Sequence, residues 1–292
     1  MVDLAPTLRL DDTSTQTVLP YVKSGIACVR MQDLVTVATG RFNYLFYRIK
    51  RAGGVHNFLG FKGIVILSTV MQDPLIKKID KYGAAMYINA INTLKPNYYM
   101  TPDGTIYDKV TTDRDALYEI SRILILTKVL IRECSGSKPV GLIKGSNEIQ
   151  VDFHINALKN LGIEDFTFHT GDFFRHGSGT MIKKARMLRS RIRPHAKRLM
   201  LYGMGSQRRA IEFSFADVYA TQSHFIAAQK HTIYNGCQKV KYNGSYSSSI
   251  VEKNFIQLQK NIMSIISHQT KLTSWMVKRW EEAPLQAEIT SV

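Results

Sequence analysis

Five short phrases of this chain set groups capable of acid, base or hydrogen-bonding chemistry beside an apolar run. Asp103 follows one in YYMTPDGTIYD, and Lys144 and Gly145 follow another in VGLIKGSNE. His169, Gly171 and Asp172 follow a third in FTFHTGDFF, Gly203 and Gly205 a fourth in LMLYGMGSQ, and Asp217 heads a fifth in FADVYATQSHF. A carboxylate in such a place is a nucleophile, a base, a hydrogen-bond acceptor or the cap of the next helix. Asp103 is followed by Gly and Thr rather than by an apolar helix, which weakens the capping reading. Asp217 lies among apolar residues, where an ionised group needs a partner or a function. The three cysteines, Cys28, Cys134 and Cys237, are too far apart and odd in number to form a disulfide framework or a CxxC clip. No metal and no cofactor are expected.

Those phrases need elements to hold them. Short apolar runs predict strands at Ile26–Val29, Gly63–Leu67, Ala85–Ile88, Tyr98–Met100, Val140–Ile143, Phe166–Phe168, Leu199–Tyr202 and Asp217–Tyr219. Helical spacing of Leu and Ile predicts helices at Arg114–Arg132, Glu148–Leu161 and Thr180–Arg193, with Asn147 and Ser206 as caps. About eight strands alternating with helices predict a closed α/β barrel, the (β/α)8 TIM type. An open doubly wound sheet is second, since no GxGxxG turn follows the first run. In such a barrel functional groups gather at the C-terminal ends of the strands. Residues 1–236 are read as the barrel and 237–292 as a polar loop (Gln238–Ser249) plus one or two C-terminal helices packed on it, one domain in all.

Charge narrows the partner. Thirty-nine Lys and Arg against 23 Asp and Glu give a net +16, an excess that suits a polyanion. Eight of those cations and no acid fall between Lys183 and Arg198; Lys183, Lys184 and Arg186 are candidates for nucleic-acid backbone contacts. No run approaches the ~20 apolar residues of a membrane span. The first 17 residues lack the basic start and apolar core of a signal peptide, so a cytoplasmic location without membrane contact is expected.

Several stretches resemble the guanine transglycosylases. RAGGVHNFLGFKGIVIL (Arg51 to Leu67) is similar to that family's GGxHxFxGWxGPIL segment. VGLIKGSNEIQVDFHINALKNLGIEDF resembles its GIVQGG loop and following helix, and RLMLYGMGSQRRAIEFSFADVYATQSHF resembles its LMGVGTPEDILEAV–DMFDCVLPTR region. Tyr234–Gly236 falls where the family has its NG, and order and spacing agree over roughly two-thirds of the chain. The resemblance implies a pentosyltransferase that swaps guanine in DNA or tRNA for a 7-deazaguanine-type base, DNA being favoured.

Roles follow by position. Asp217 falls on the nucleophile that attacks the sugar C1′ and forms a covalent intermediate, a step that divides one hard displacement into two. Asp103 falls on the aspartate that reads the purine edge by accepting two N–H bonds. Lys144, Gly145, His169, Gly171, Gly203 and Gly205 fall on or near the segments that hold the base. The target must leave its stack, and Tyr99, Phe173 and Phe174 are candidates to receive it. Three departures stand out. The DSGGFQ aspartate is replaced by LSTVMQD, leaving Ser68, Thr69 or Asp73 as substitutes; the CxCxxC…H zinc set is absent; and there is no room for appended RNA-binding domains. The alternatives are the same exchange on tRNA, a catalytically inactive nucleic-acid-binding subunit, and an unrelated phosphate-binding barrel using the Gly203–Gly205 turn. A homodimer is left open.

Overall fold

The computed structural model describes residues 3–106, 111–170, 178–204 and 213–281, with the side chains of 178–182, 184–185 and 268–281 excepted. Eight parallel strands close into one barrel: β1 (Asp3–Leu8), β2 (Ile26–Arg30), β3 (Ile64–Ser68), β4 (Tyr98–Met100), β5 (Lys138–Ile143), β6 (Asp165–His169), β7 (Arg198–Tyr202) and β8 (Val218–Thr221). Closure is made by β1, which pairs with β2 on one side and β8 on the other. The helices in chain order are α1 (Ser14–Val18), α2 (Tyr44–Arg51), α3 (Val55–Leu59), α4 (Asp73–Asp80), α5 (Ala84–Leu94), α6 (Asp113–Glu133), α7 (Glu148–Asn160), α8 (Ser178–Arg191), α9 (Ser223–Gln229) and α10 (Ser248–Glu281). The expected (β/α)8 barrel with added C-terminal helical structure is what the chain forms.

Two predicted elements change. Ala85–Ile88 is not a strand; it opens α5, whose buried Met86, Tyr87, Ala90, Ile91 and Leu94 recur at helical spacing. The eighth strand is instead β1, whose sequence DLAPTL hides it behind Asp3 and Pro6. Part of the polar segment after Gly236 is also ordered, since β10 (Gln238–Lys241) pairs antiparallel with β9 (Thr232–Asn235). One helix, α10, follows, and buries Val251, Phe255, Leu258 and Ile262 at helical spacing. Asn254 on α10 holds the hairpin by accepting from the Tyr234 N–H and donating to the Thr232 carbonyl. Several caps follow rule: Asn43, Thr112 and Asn147 each accept a backbone N–H at the start of α2, α6 and α7.

The period of two along each strand sorts the core into two layers. Cys28, Ile66, Met100, Leu142 and Met200 fill the barrel interior with Ala5 and Ala220. Their neighbours Val29, Leu67, Tyr99, Ile143 and Leu201 face outward into the larger cluster under the helices. Tyr99 is therefore fully buried on the outside of the barrel and cannot receive a flipped base. Counting two residues past the inward positions lands on Arg30, Ser68, Lys144 and Tyr202. Alternation from Thr167 likewise turns His169 inward. The strands thus deliver a ring of polar side chains to their C-terminal ends.

Candidate functional site at the C-terminal mouth

That ring opens into a cavity of about 750 Å³. Four sequence-predicted residues, Asp103, Lys144, His169 and Gly203, line it together, joined by Arg30, Asp73, Tyr202 and Gln222. Gly145 stands just behind. Its backbone has φ +155, and a Cβ there would meet the Val151 nitrogen at 2.9 Å, so glycine lets the loop close on the first turn of α7. Gly203, at φ +82, donates its N–H to the Ala220 carbonyl and turns the chain at the mouth. Gly171, Asp172, Phe173, Phe174, Gly205 and the expected cap Ser206 lie outside the described residues.

Asp103 and Lys144 form a buried ion pair at 2.5 Å, with side chains 4% and 11% exposed. Asp103 is further held by the backbone N–H groups of Gly104, on Oδ1, and Met71, on Oδ2. Arg122 of α6 donates to the Asp103 carbonyl while bridging Glu119 and Asp80; those two acids, with the Glu119 hydrogen bond, outweigh burial and keep its guanidinium charged. The carboxylate thus spends three of its four lone-pair positions within the protein. One position on Oδ2 is left by those bonds. The two-donor reading of a purine edge by Asp103 alone is corrected to one donor at most.

Lys144 is set from behind by a residue the sequence reading missed. His154, fully buried on α7, accepts the Lys144 backbone N–H on Nδ1 at 3.0 Å. Burial pulls the imidazole down to about 4, so it stays neutral and remains an acceptor.

Across the mouth Arg30 makes a second buried pair with Asp33, which also accepts the Leu10 N–H. Burial raises the Asp33 carboxyl, although Arg30 opposes the shift. The same guanidinium donates to the Gln222 side chain at 3.1 Å. Tyr202 bonds Ser68 and Gln222, and burial pushes its hydroxyl up to about 12. The Tyr202 ring lies 5.8 Å from that of His169, tilted by 51°. Of the substitutes for the missing aspartate, Ser68 is committed to Tyr202 and the Val70 N–H, and Thr69 donates to the Thr101 carbonyl. Asp73, half-buried at the first turn of α4, lines the cavity. Among the described residues no group of three His, Cys, Asp or Glu side chains could hold a metal ion. Nor is any helix among them long and apolar enough to cross a membrane.

Asp217 is elsewhere. It precedes β8, donates its N–H to the Leu199 carbonyl and accepts the Asp3 N–H at its own carbonyl, so it sits where the strands begin. With Asp3, Asp165 and Arg198 it lines a separate cavity of about 190 Å³ at the N-terminal end. Four residues at about 3.3 Å each separate it from Thr221 at the mouth, roughly 13 Å. Its carboxylate is held by Arg193 at 2.5 Å and accepts the Leu199 N–H at 2.8 Å. The assignment of Asp217 as nucleophile beside Asp103 is therefore corrected: it is a tie between β7, β8 and the Arg193 turn. Asp217→Ala is expected to lower unfolding free energy by about 1–2 kcal/mol, given a half-exposed pair and one hydrogen bond. Ligand affinity at the mouth should stay within a factor of two, by calorimetric titration of the variant.

The basic run is also less uniform than its sequence implies. Arg191 pairs with Glu148 and Asp152, Arg193 with Asp217, Lys197 with Glu164 and Arg198 with Asp165. Lys183 and Arg186 stand exposed on α8, and the Lys184 side chain lies outside the described residues. No protein-family model matches the chain, and no curated protein matches its sequence.

Proposed function

We propose that the C-terminal mouth holds a purine-type base flipped from a nucleic acid, and that the chain is a guanine transglycosylase-like pentosyltransferase acting on DNA or, as the alternative, on tRNA. The observation that supports this best is the convergence of hydrogen-bonding side chains from β2 to β7 on one cavity large enough for a nucleoside. The open position on Asp103 accepts one N–H of the amide edge, Lys144 donates toward the base carbonyl, and the Tyr202 and His169 rings offer planar walls. Asp73, which with Asp103 makes up the carboxylates lining the mouth among the described residues, takes the place of the nucleophile: it bonds C1′ as the bond from C1′ to guanine breaks, and a 7-deazaguanine-type base then displaces it. Lys183, Lys184 and Arg186 supply backbone contacts.

The placement of Asp217 favours a second reading, a subunit that binds the base without exchanging it. Nucleoside mass spectrometry of DNA and tRNA from cells with and without the protein separates the two. A modified deoxyguanosine or guanosine that appears only with the protein supports exchange. Unaltered nucleosides, together with measurable affinity of the purified protein for guanine, support the binding subunit.

A further inference from the structure

A second cavity, of about 610 Å³, adjoins the mouth and shares Arg30, Gln32 and Gln72 with it. Its walls are the segments after β1 and β2, and Arg9, Tyr44 and Arg48 lie along it. Tyr44 and Arg48 belong to an exposed face of α2 that continues beyond the cavity lining to Tyr47 and Arg51. These four residues follow the i, i+3, i+4, i+7 spacing that places them on one face. All four are exposed, Tyr44 by 70% and Tyr47 by 53%. No acidic residue occurs in the helix. The Arg51 guanidinium lies 5.8 Å over the Tyr44 ring, and Arg48 lies 5.4 Å over Phe58. The nearby acids Asp11 and Asp33 are already held by Arg9 and Arg30. Cations in the last turn of a helix also complement its dipole, but that leaves two large exposed tyrosines without a use.

We propose that this groove and the exposed α2 face beside it are the track of a single-stranded polynucleotide, the segment flanking the base in the mouth. Tyr44 and Tyr47 give faces on which bases stack, and Arg48 and Arg51 meet the phosphates between them. Interleaved rings and cations with no acid are the chemistry of sequence-tolerant single-strand binding. A phosphate-only surface has no need of the rings. The identity of the partner rests on the reading of the mouth as a nucleobase site, but not on base exchange.

Fluorescence anisotropy with the full chain and labelled thymidine or uridine homo-oligomers tests it, with a duplex as third probe. Tyr44→Ala/Tyr47→Ala should weaken single-strand binding by on the order of tenfold or more. Arg48→Gln/Arg51→Gln should lower the salt slope by about 1.4, at roughly 0.7 per phosphate. All four side chains are exposed, so circular dichroism and the thermal midpoint should match the parent. Parent-like affinity and slope in both variants, on both oligomers, overturns the proposal. So does an equal loss on duplex from the tyrosine variant, because paired bases present no free faces. Guanine titration of the same variants separates the two readings. Lost strand binding with no guanine affinity in the parent leaves the groove standing and removes the mouth as a base site; guanine affinity with unaltered strand binding does the reverse.

Discussion

Asp103→Ala is expected to destabilise the protein by about 3–5 kcal/mol. The change strands the Lys144 ammonium, 11% exposed, and leaves the Gly104 and Met71 N–H groups without their acceptor. A largely buried charge that loses its partner costs more than the pair contributed, since the few waters at the cavity wall compensate it only in part. The double variant Asp103→Ala/Lys144→Met should recover a good part of the loss, because a buried pair replaced by apolar groups is often close to neutral. Urea unfolding of parent, single and double variants measures this. A single variant that loses less than about 1 kcal/mol would mean that water enters the mouth and that the pair is effectively exposed.

Stability should also fall steeply in mild acid. His154 and His224 are fully buried and held neutral, burial lowering them to about 4 and about 3. In the unfolded chain both return to about 6.5, so below that pH the unfolded state binds more protons than the folded state. Each depressed histidine contributes stability that is complete above pH 6.5 and is lost as pH falls toward its folded value. Between pH 7 and pH 5 the loss is about 2 kcal/mol per histidine, about 4 together. The carboxyls of Asp33 and Asp80, raised by burial, favour the folded state as pH falls and offset part of this loss. His224 packs on Phe255 and its Nδ1 has no hydrogen-bond partner among the described residues. His224→Phe should therefore fold and lose about half of the pH dependence. Chemical denaturation at pH 7 and pH 5 reads the difference, and a parent stability that is flat across this interval would contradict the assignment of neutral buried rings.

Much of this architecture was legible in the residues, and the failures have physical causes. Seven of the eight barrel strands were visible as apolar runs, because strands covered on both faces cannot carry polar residues in their middles. The eighth was hidden because Pro6 and Asp3 interrupt β1. The run at Ala85 misled because four apolar residues fit a strand as well as one turn of a buried helix. Asp103, Lys144, His169 and Gly203 were found since each follows its run, and in an all-parallel barrel every residue that follows a strand reaches the same rim. Asp217 heads its run instead, and that difference in order is the whole length of a strand. Arg30 was missed because its charge ended the apolar run one residue early, and Tyr202 because it was counted as part of its strand. Counting inward positions by two would have found both. His154 carried no signal of its own, as a histidine within an amphipathic helix is ordinarily structural.

The central claim is that base chemistry belongs to the C-terminal mouth and not to Asp217. Incorporation of labelled guanine into DNA and into tRNA by the parent, Asp217→Asn and Asp73→Asn tests it most directly. Incorporation is expected from the parent into one of the two nucleic acids, at near-parent level from Asp217→Asn, and not at all from Asp73→Asn. Incorporation abolished by Asp217→Asn in a folded protein, with Asp73→Asn active, would contradict it.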